Sequence, residues 1–208
     1  MLIVMSDLHF AESKSFSLGE QEYNNNLPPA VYRGFFREIA ELIRDDPVEK
    51  VDLVLAGDIF EINRSAMWFE DSVRPYVNNR DVKPGSAIEA RLLAIIESIA
   101  ADSRVSETLK ILRNLDQTFG HPVKITYIPG NHDRLLNASP AIRLAVRDLL
   151  GMEMVDTPFE HAYLHKVNGE GWFFVRHGHE YDHYNFGEDL SFRSSIPTRI
   201  DPEIYDRP

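Results

Sequence analysis

Four short apolar runs in this chain each end in residues that bind metals or carry protons, and this repetition limits the fold more than any other feature. Leu2-Ile3-Val4-Met5 leads into Ser6-Asp7-Leu8-His9. Val51-Asp52-Leu53-Val54-Leu55-Ala56 leads into Gly57-Asp58-Ile59-Phe60-Glu61. Val123 to Ile128 leads into Pro129-Gly130-Asn131-His132-Asp133, and Trp172-Phe173-Phe174-Val175-Arg176 into His177-Gly178-His179. Short runs rich in β-branched and aromatic residues read as strands. The first reads as a central strand buried on both faces. Pro129 and Gly130 stop the third and present Asn131, His132 and Asp133 on a loop held by a rigid element.

The chain between the first two runs supplies their connection. Pro28, Pro29 and Ala30 open a helix that runs to about Arg44, since proline suits a first helical turn. Val31, Phe35, Ile39, Leu42 and Ile43 lie at helical spacing and form its expected buried stripe, with Phe35 and Phe36 both expected in the core. Strand, helix and strand in succession imply a right-handed crossover and a parallel pair. Asp7 and Asp58 then emerge on the same sheet edge, where sites form in open α/β sheets. In extended backbone Asp7 and His9, two apart, point the same way. Gly57 allows the sharp turn that aims Asp58 inward.

The remainder is read more coarsely. Ala11 to Leu27 is a polar loop. From Pro84 to Phe119 two apolar stripes, Ile88 to Ile99 and Val105 to Phe119, predict a helical hairpin interrupted at Asp102 and Ser103, within an insertion spanning about 64–120 that serves either as a cap over the site, the reading preferred here, or as extra packing. Ser139, Pro140 and Gly151 mark the start and stop of another helix. Ala162 to Val167 and Gly171 to Arg176 read as strands joined at Asn168-Gly169, with His165 structural. Tyr184 to Pro208 carries no legible element.

Composition narrows the function. At 208 residues with 43% hydrophobic residues, the chain suits one globular domain. A net charge of −11 disfavours non-specific nucleic-acid binding. There is no cysteine, so thiolate sites are excluded, while 8 His and 33 Asp and Glu favour metals that take nitrogen and oxygen ligands. No run reaches membrane-spanning length and no signal peptide is evident, so a cytoplasmic protein is expected.

Taken in order along residues 5 to about 183, D-x-H, G-D-x-x-[D/E], G-N-H-[D/E] and a later strand-end His resemble the calcineurin-like metallophosphoesterase superfamily. The resemblance implies a four-layer α/β/β/α sandwich with two divalent cations, drawn from Mn, Fe, Zn and Ni with Mn favoured. It implies that Asp7 and His9 hold the first ion, Asp58 bridges both, and Asn131 and His177 hold the second. His132 corresponds to the catalytic histidine and Glu61 to the acid that orients it. The reaction implied is hydrolysis of a phosphate mono- or diester by a hydroxide shared between the ions. Arg64 and Arg134 flank the motifs and are candidates for phosphate oxygens or for surface ion pairs. The closing G-H-x-H of the superfamily is absent, because Tyr181 stands at its second His. Either His179 and His183 supply those ligands, or the chain stops short of the motif. Two alternatives follow: a non-catalytic scaffold of the same fold, and a nuclease of the same superfamily. Substrate and oligomeric state are not legible.

Overall fold

The strand Val51–Ala56 has all six residues buried, and the other elements are arranged around it. In chain order the strands are β1 (Leu2–Met5), β2 (Ser17–Leu18), β3 (Gln21–Glu22), β4 (Val51–Ala56), β5 (Val123–Ile128), β6 (Tyr163–Val167) and β7 (Gly171–Val175). The helices are α1 (Pro29–Leu42), α2 (Ala87–Ala101), α3 (Ser103–Arg113), α4 (Leu115–Phe119) and α5 (Pro140–Leu150). The structure is a computed structural model that describes residues 1–13, 17–18, 21–167, 171–182 and 184–185. The Asn168-Gly169 turn, His183 and nearly all of the polar C-terminal stretch lie outside these residues.

β1 and β5 flank β4, both parallel to it, in the order β1-β4-β5. The expected parallel pair is present, with Leu2 opposite Asp52 and Met5 opposite Leu55. Yet β1 is not central. Val4 is 45% exposed, whereas Val54 beside it is fully buried. A continuous apolar run reports that a strand belongs to the core but not its rank in the sheet, which neighbouring strands decide.

The helices pack on one face of the sheet. Leu53 and Leu55 of β4 share a core with Phe36 of α1, Leu92 and Ile95 of α2, Leu109 of α3 and Val146 of α5. In α1 the buried residues are Tyr32 and Phe36, while Val31, Phe35 and Leu42 are 50%, 41% and 78% exposed. The expected stripe is therefore rotated by about one residue. Tyr32, Phe36, Ile39 and Ile43 satisfy helical spacing equally well, and packing against α3 and α4 selects them; the Phe36 ring meets Phe119 edge-on at 6.0 Å.

The expected helices of the insertion are present, with the break at Asp102, but the second stripe is split at Asn114 into α3 and α4. Asp102 ends α2 and accepts the N–H groups of Arg104 and Val105 to cap α3. These helices are not a cap over the site: α2 packs on α5 and α3 on α1, and both feed the main core. α5 also forms as expected, with Ser139 accepting the Ile142 N–H and Gly151 left-handed at its end.

The other sheet face carries the antiparallel hairpin β6–β7, whose Tyr163 and Val175 pack on Val54, Ala56 and Ile128. Asp52 also points this way, 1% exposed, and is paired with Lys50 Nζ at 3.2 Å and His165 Nδ1 at 3.6 Å, which gives His165 its structural role. The four apolar runs thus do not share one edge. Three end on the parallel sheet, and β7 brings its histidine in from the second layer.

Candidate metal centre and active site

The loops after β1 and β4 are zipped together by backbone hydrogen bonds. Asp7 N–H donates to Gly57 O at 3.1 Å, His9 N–H to Asp58 O at 2.9 Å, Phe10 N–H to Ile59 O at 2.8 Å, and Glu61 N–H to Phe10 O at 2.8 Å. Within this zipper Asp7, His9 and Asp58 adopt left-handed backbone, with φ of 56°, 46° and 53°. The extended backbone expected for Asp7 and His9 is therefore corrected. Left-handed backbone costs a non-glycine residue on the order of 1–2 kcal/mol, and the interlocked loops hold three such residues side by side. All three carry side chains of a kind that can bind a metal ion.

Two glycines make room for Asp58 and for His177. A Cβ on Gly130 would stand 2.2 Å from Asp58 Oδ1 and 2.7 Å from the Asp58 nitrogen. A Cβ on Gly57, whose φ is 90°, would stand 2.4 Å from Cγ of His177. Asp133 ties the loop after β5 to the loop after β4. Its carboxylate is fully buried and accepts Gly130 N–H at 2.6 Å, Ile59 N–H at 2.8 Å and Phe60 N–H at 3.3 Å. Burial, helped by the charge of Asp58, pushes its pKa up to about 6. Asp133 is thus a brace turned inward, whereas the side chains of Asn131 and His132 face His177 and Glu61.

One set of ligand atoms forms around His177. Its Nδ1 lies 2.9 Å from Ala56 O, and a carbonyl only accepts, so Nδ1 carries the hydrogen. Its Nε2 then points at Asp58 Oδ2, 3.2 Å away, and Asn131 Oδ1, 3.1 Å away. A second proton on the ring or a cation must lie among these atoms for them to converge. Burial alone would lower the His177 pKa, but hydrogen bonding to Asp58 and its charge outweigh burial and raise it to about 9. The same pairing, with the His132 N–H on Asp58 Oδ1 at 2.9 Å, overcomes burial and holds Asp58 below its usual range. Asp7, Asp58 and His177 can share one ion, their ligand atoms lying within 4.8 Å of one another.

Glu61 organises a second set. It is 4% exposed, and its two oxygens take one imidazole each, Oε1 the Nδ1 of His132 at 2.8 Å and Oε2 the Nδ1 of His9 at 3.0 Å. Both histidines are thereby set to donate from Nδ1, which leaves Nε2 of the neutral ring with its lone pair and makes it the site of a second proton. The two rings stand edge to face, 4.9 Å apart. His9 Nε2 lies 3.9 Å from Asp7 Oδ1, so the pair can close on one cation. Glu61 raises the His132 pKa against the opposing effect of burial.

All the ligand types anticipated from the sequence meet here except His179. That residue is 7% exposed and its ring lies 5.2 Å from the His177 ring, yet it joins neither set of converging ligand atoms among the described residues. Burial and the positive charge of His177 lower its pKa to about 3. Arg134 is 5% exposed and donates to Val77 O at 2.8 Å and Pro75 O at 3.0 Å, a structural tie to the irregular segment after Glu61. Asn63 had no signal in the sequence; its side chain donates to Asn131 O at 2.9 Å and steadies the ligand loop. The donor set, carboxylates with imidazoles and one amide, fits divalent cations that favour nitrogen and oxygen.

No helix among the described residues is long and apolar enough to cross a membrane. No curated protein and no solved structure matches the chain. The family model of calcineurin-like phosphoesterases matches residues 1–202, nearly the whole length and every loop described above. The chain belongs to the calcineurin-like phosphoesterase family.

Proposed function

We propose that the chain is a metal-dependent phosphoesterase that hydrolyses a phosphate mono- or diester at a two-ion site. The observation that carries this reading is the convergence of His177 Nε2, Asp58 Oδ2 and Asn131 Oδ1 within 3.2 Å, beside a second set centred on His9 and Asp7. Asp7 and His9 would hold the first ion, Asp58 both, and Asn131 and His177 the second, with His179 behind them. Mn²⁺ is the favoured ion. Divalent cations held there supply Lewis acidity, neutralising phosphoryl oxygens and acidifying a water molecule for attack.

The chain's own residues do the rest. Asn131 contributes a neutral oxygen and so limits repulsion of an anionic substrate. His132, oriented through Nδ1 by Glu61, presents Nε2 to the departing oxygen. Glu61 favours its protonated form, so a proton passes from Nε2 to the leaving group. The loop zipper and the Asp133 brace fix the spacing between ligands and acid, which limits reorganisation during the reaction.

Metal content per chain after Mn²⁺ loading, with hydrolysis of 4-nitrophenyl phosphate and bis(4-nitrophenyl) phosphate followed in the same samples, tests this. Two ions per chain and turnover that EDTA abolishes are expected. Asp58→Asn is expected to lose both ions and turnover together. Failure on every phosphoester with metal added would leave a scaffold, and activity confined to nucleic acids would make the chain a nuclease.

A further inference from the structure

The two ions of the proposed site rely on different parts of the chain to aim their histidines. A ring that ligates through Nε2 needs its Nδ1 hydrogen held by an acceptor, which fixes both the tautomer and the orientation of the ring. For His177 that acceptor is backbone, Ala56 O at 2.9 Å. For His9 it is a side chain, Glu61 Oε2 at 3.0 Å. The His9 side chain is 36% exposed on left-handed backbone, so packing alone confines it weakly.

Glu61 is placed for this by backbone contacts. Its N–H donates to Phe10 O at 2.8 Å, one residue beyond His9, and Phe10 pairs with Phe60 as a parallel bridge. The strip of chain that carries His9 is therefore fastened to the strip that carries its acceptor. The other oxygen, Oε1, takes His132 at 2.8 Å, so one carboxylate serves both a ligand and the acid. Resting on the two-ion reading given above, we propose that Glu61 is a positioning residue for His9 as well as for His132, so that removing it weakens the first ion selectively and spares the second. The charge of Glu61 also favours cations, and a substitution that removes the charge but keeps an acceptor oxygen separates the two effects.

Mn²⁺ binding to wild type, Glu61→Ala, Glu61→Gln and His132→Ala is measured by equilibrium dialysis. Electron paramagnetic resonance tells a coupled pair of ions from a single one, and urea melts of the metal-free proteins check folding. Wild type is expected to hold two ions. Glu61→Ala should bind the first about 10- to 100-fold more weakly and show the single-ion spectrum. The ion that remains should disappear in Glu61→Ala/His177→Ala. Glu61→Gln, which lacks the charge but keeps one acceptor oxygen, should recover part of the loss. His132→Ala should keep both ions, because His9 retains its acceptor. In metal-free wild type in alkaline buffer, ring nitrogen-15 shifts should place the hydrogen of His9 on Nδ1, a readout that needs no Glu61 variant to fold. Unchanged binding or equal weakening of both ions in Glu61→Ala, no recovery in Glu61→Gln, loss of the first ion in His132→Ala, or a His9 hydrogen on Nε2 overturns the inference while the two-ion reading stands. A wild type that holds fewer than two ions overturns both.

Discussion

Loading a cation beside His177 must expel a proton, and the affinity for Mn²⁺ should report this. Nδ1 of His177 is committed to Ala56 O, and Nε2 faces two acceptors, Asp58 Oδ2 and Asn131 Oδ1. Below its pKa of about 9 the ring therefore holds a proton where the ion would bind. Competition between one proton and one ion weakens the apparent affinity by about 1 + 10^(9 − pH), from the linkage of binding to ionisation. Between pH 6.5 and 8.0 the factor changes by roughly 30, and it stays near tenfold per pH unit for any pKa above about 9. Mn²⁺ affinity is measured by competition with a chelating indicator at both pH values. Calorimetry in buffers of different ionisation enthalpy counts the protons released. Affinity that rises about 30-fold, with about one proton released by the ion at His177, is expected. Affinity independent of pH, or binding without proton release, would refute the assignment of His177 Nε2 as a ligand.

Other perturbations follow from single contacts. Gly130→Ala should displace Asp58 and weaken Mn²⁺ binding by at least about tenfold, whereas Gly34→Ala, in α1 with nothing within 4 Å, should raise stability by about 0.5–1 kcal/mol in urea melts. Asp133→Ala leaves three buried N–H groups without their acceptor and should cost about 3 kcal/mol, after allowing for removal of a buried charge; a cost under about 1 kcal/mol would contradict the brace. His132→Ala should keep its metal and lose a factor of about 10²–10⁴ in kcat, and loss of metal with an unchanged rate would assign it to the ligands. Burial and the charge of Arg176 lower the pKa of His161 to about 4, so the unfolded chain takes up the proton first and stability is lost as pH falls from 6.5 towards 4. Between pH 7.5 and 5, wild type should lose about 2 kcal/mol relative to His161→Phe, measured by urea unfolding at both pH values.

Much was legible before any coordinates. Apolar runs of strand length, each closed by carboxylate, imidazole or amide, located β1, β4, β5 and β7, because burial and turn chemistry act over a few residues. Ser139, Pro140 and Gly151 marked the bounds of α5 for the same local reason. The residues that meet at the centre were nearly all named, since few residue types carry such chemistry.

Tertiary structure decided what depends on distant partners. In α1 two stripes share the helical period, and α3 and α4 chose Phe36 over Phe35. Adjacent residues of one loop, Asn131, His132 and Asp133, took three different roles because His177, Glu61 and the N–H groups of Ile59 and Phe60 surround them. Left-handed backbone at Asp7, His9 and Asp58 is unfavourable locally and is held by hydrogen bonds between loops far apart in the chain. Nor could spacing tell the buried tie Arg134 from the exposed Arg64 beside Glu61, since that difference lies in which carbonyls came within reach. Strand patterns follow from the free energy of the residues themselves, whereas the direction of a side chain on a loop follows from the partners that the fold brings to it.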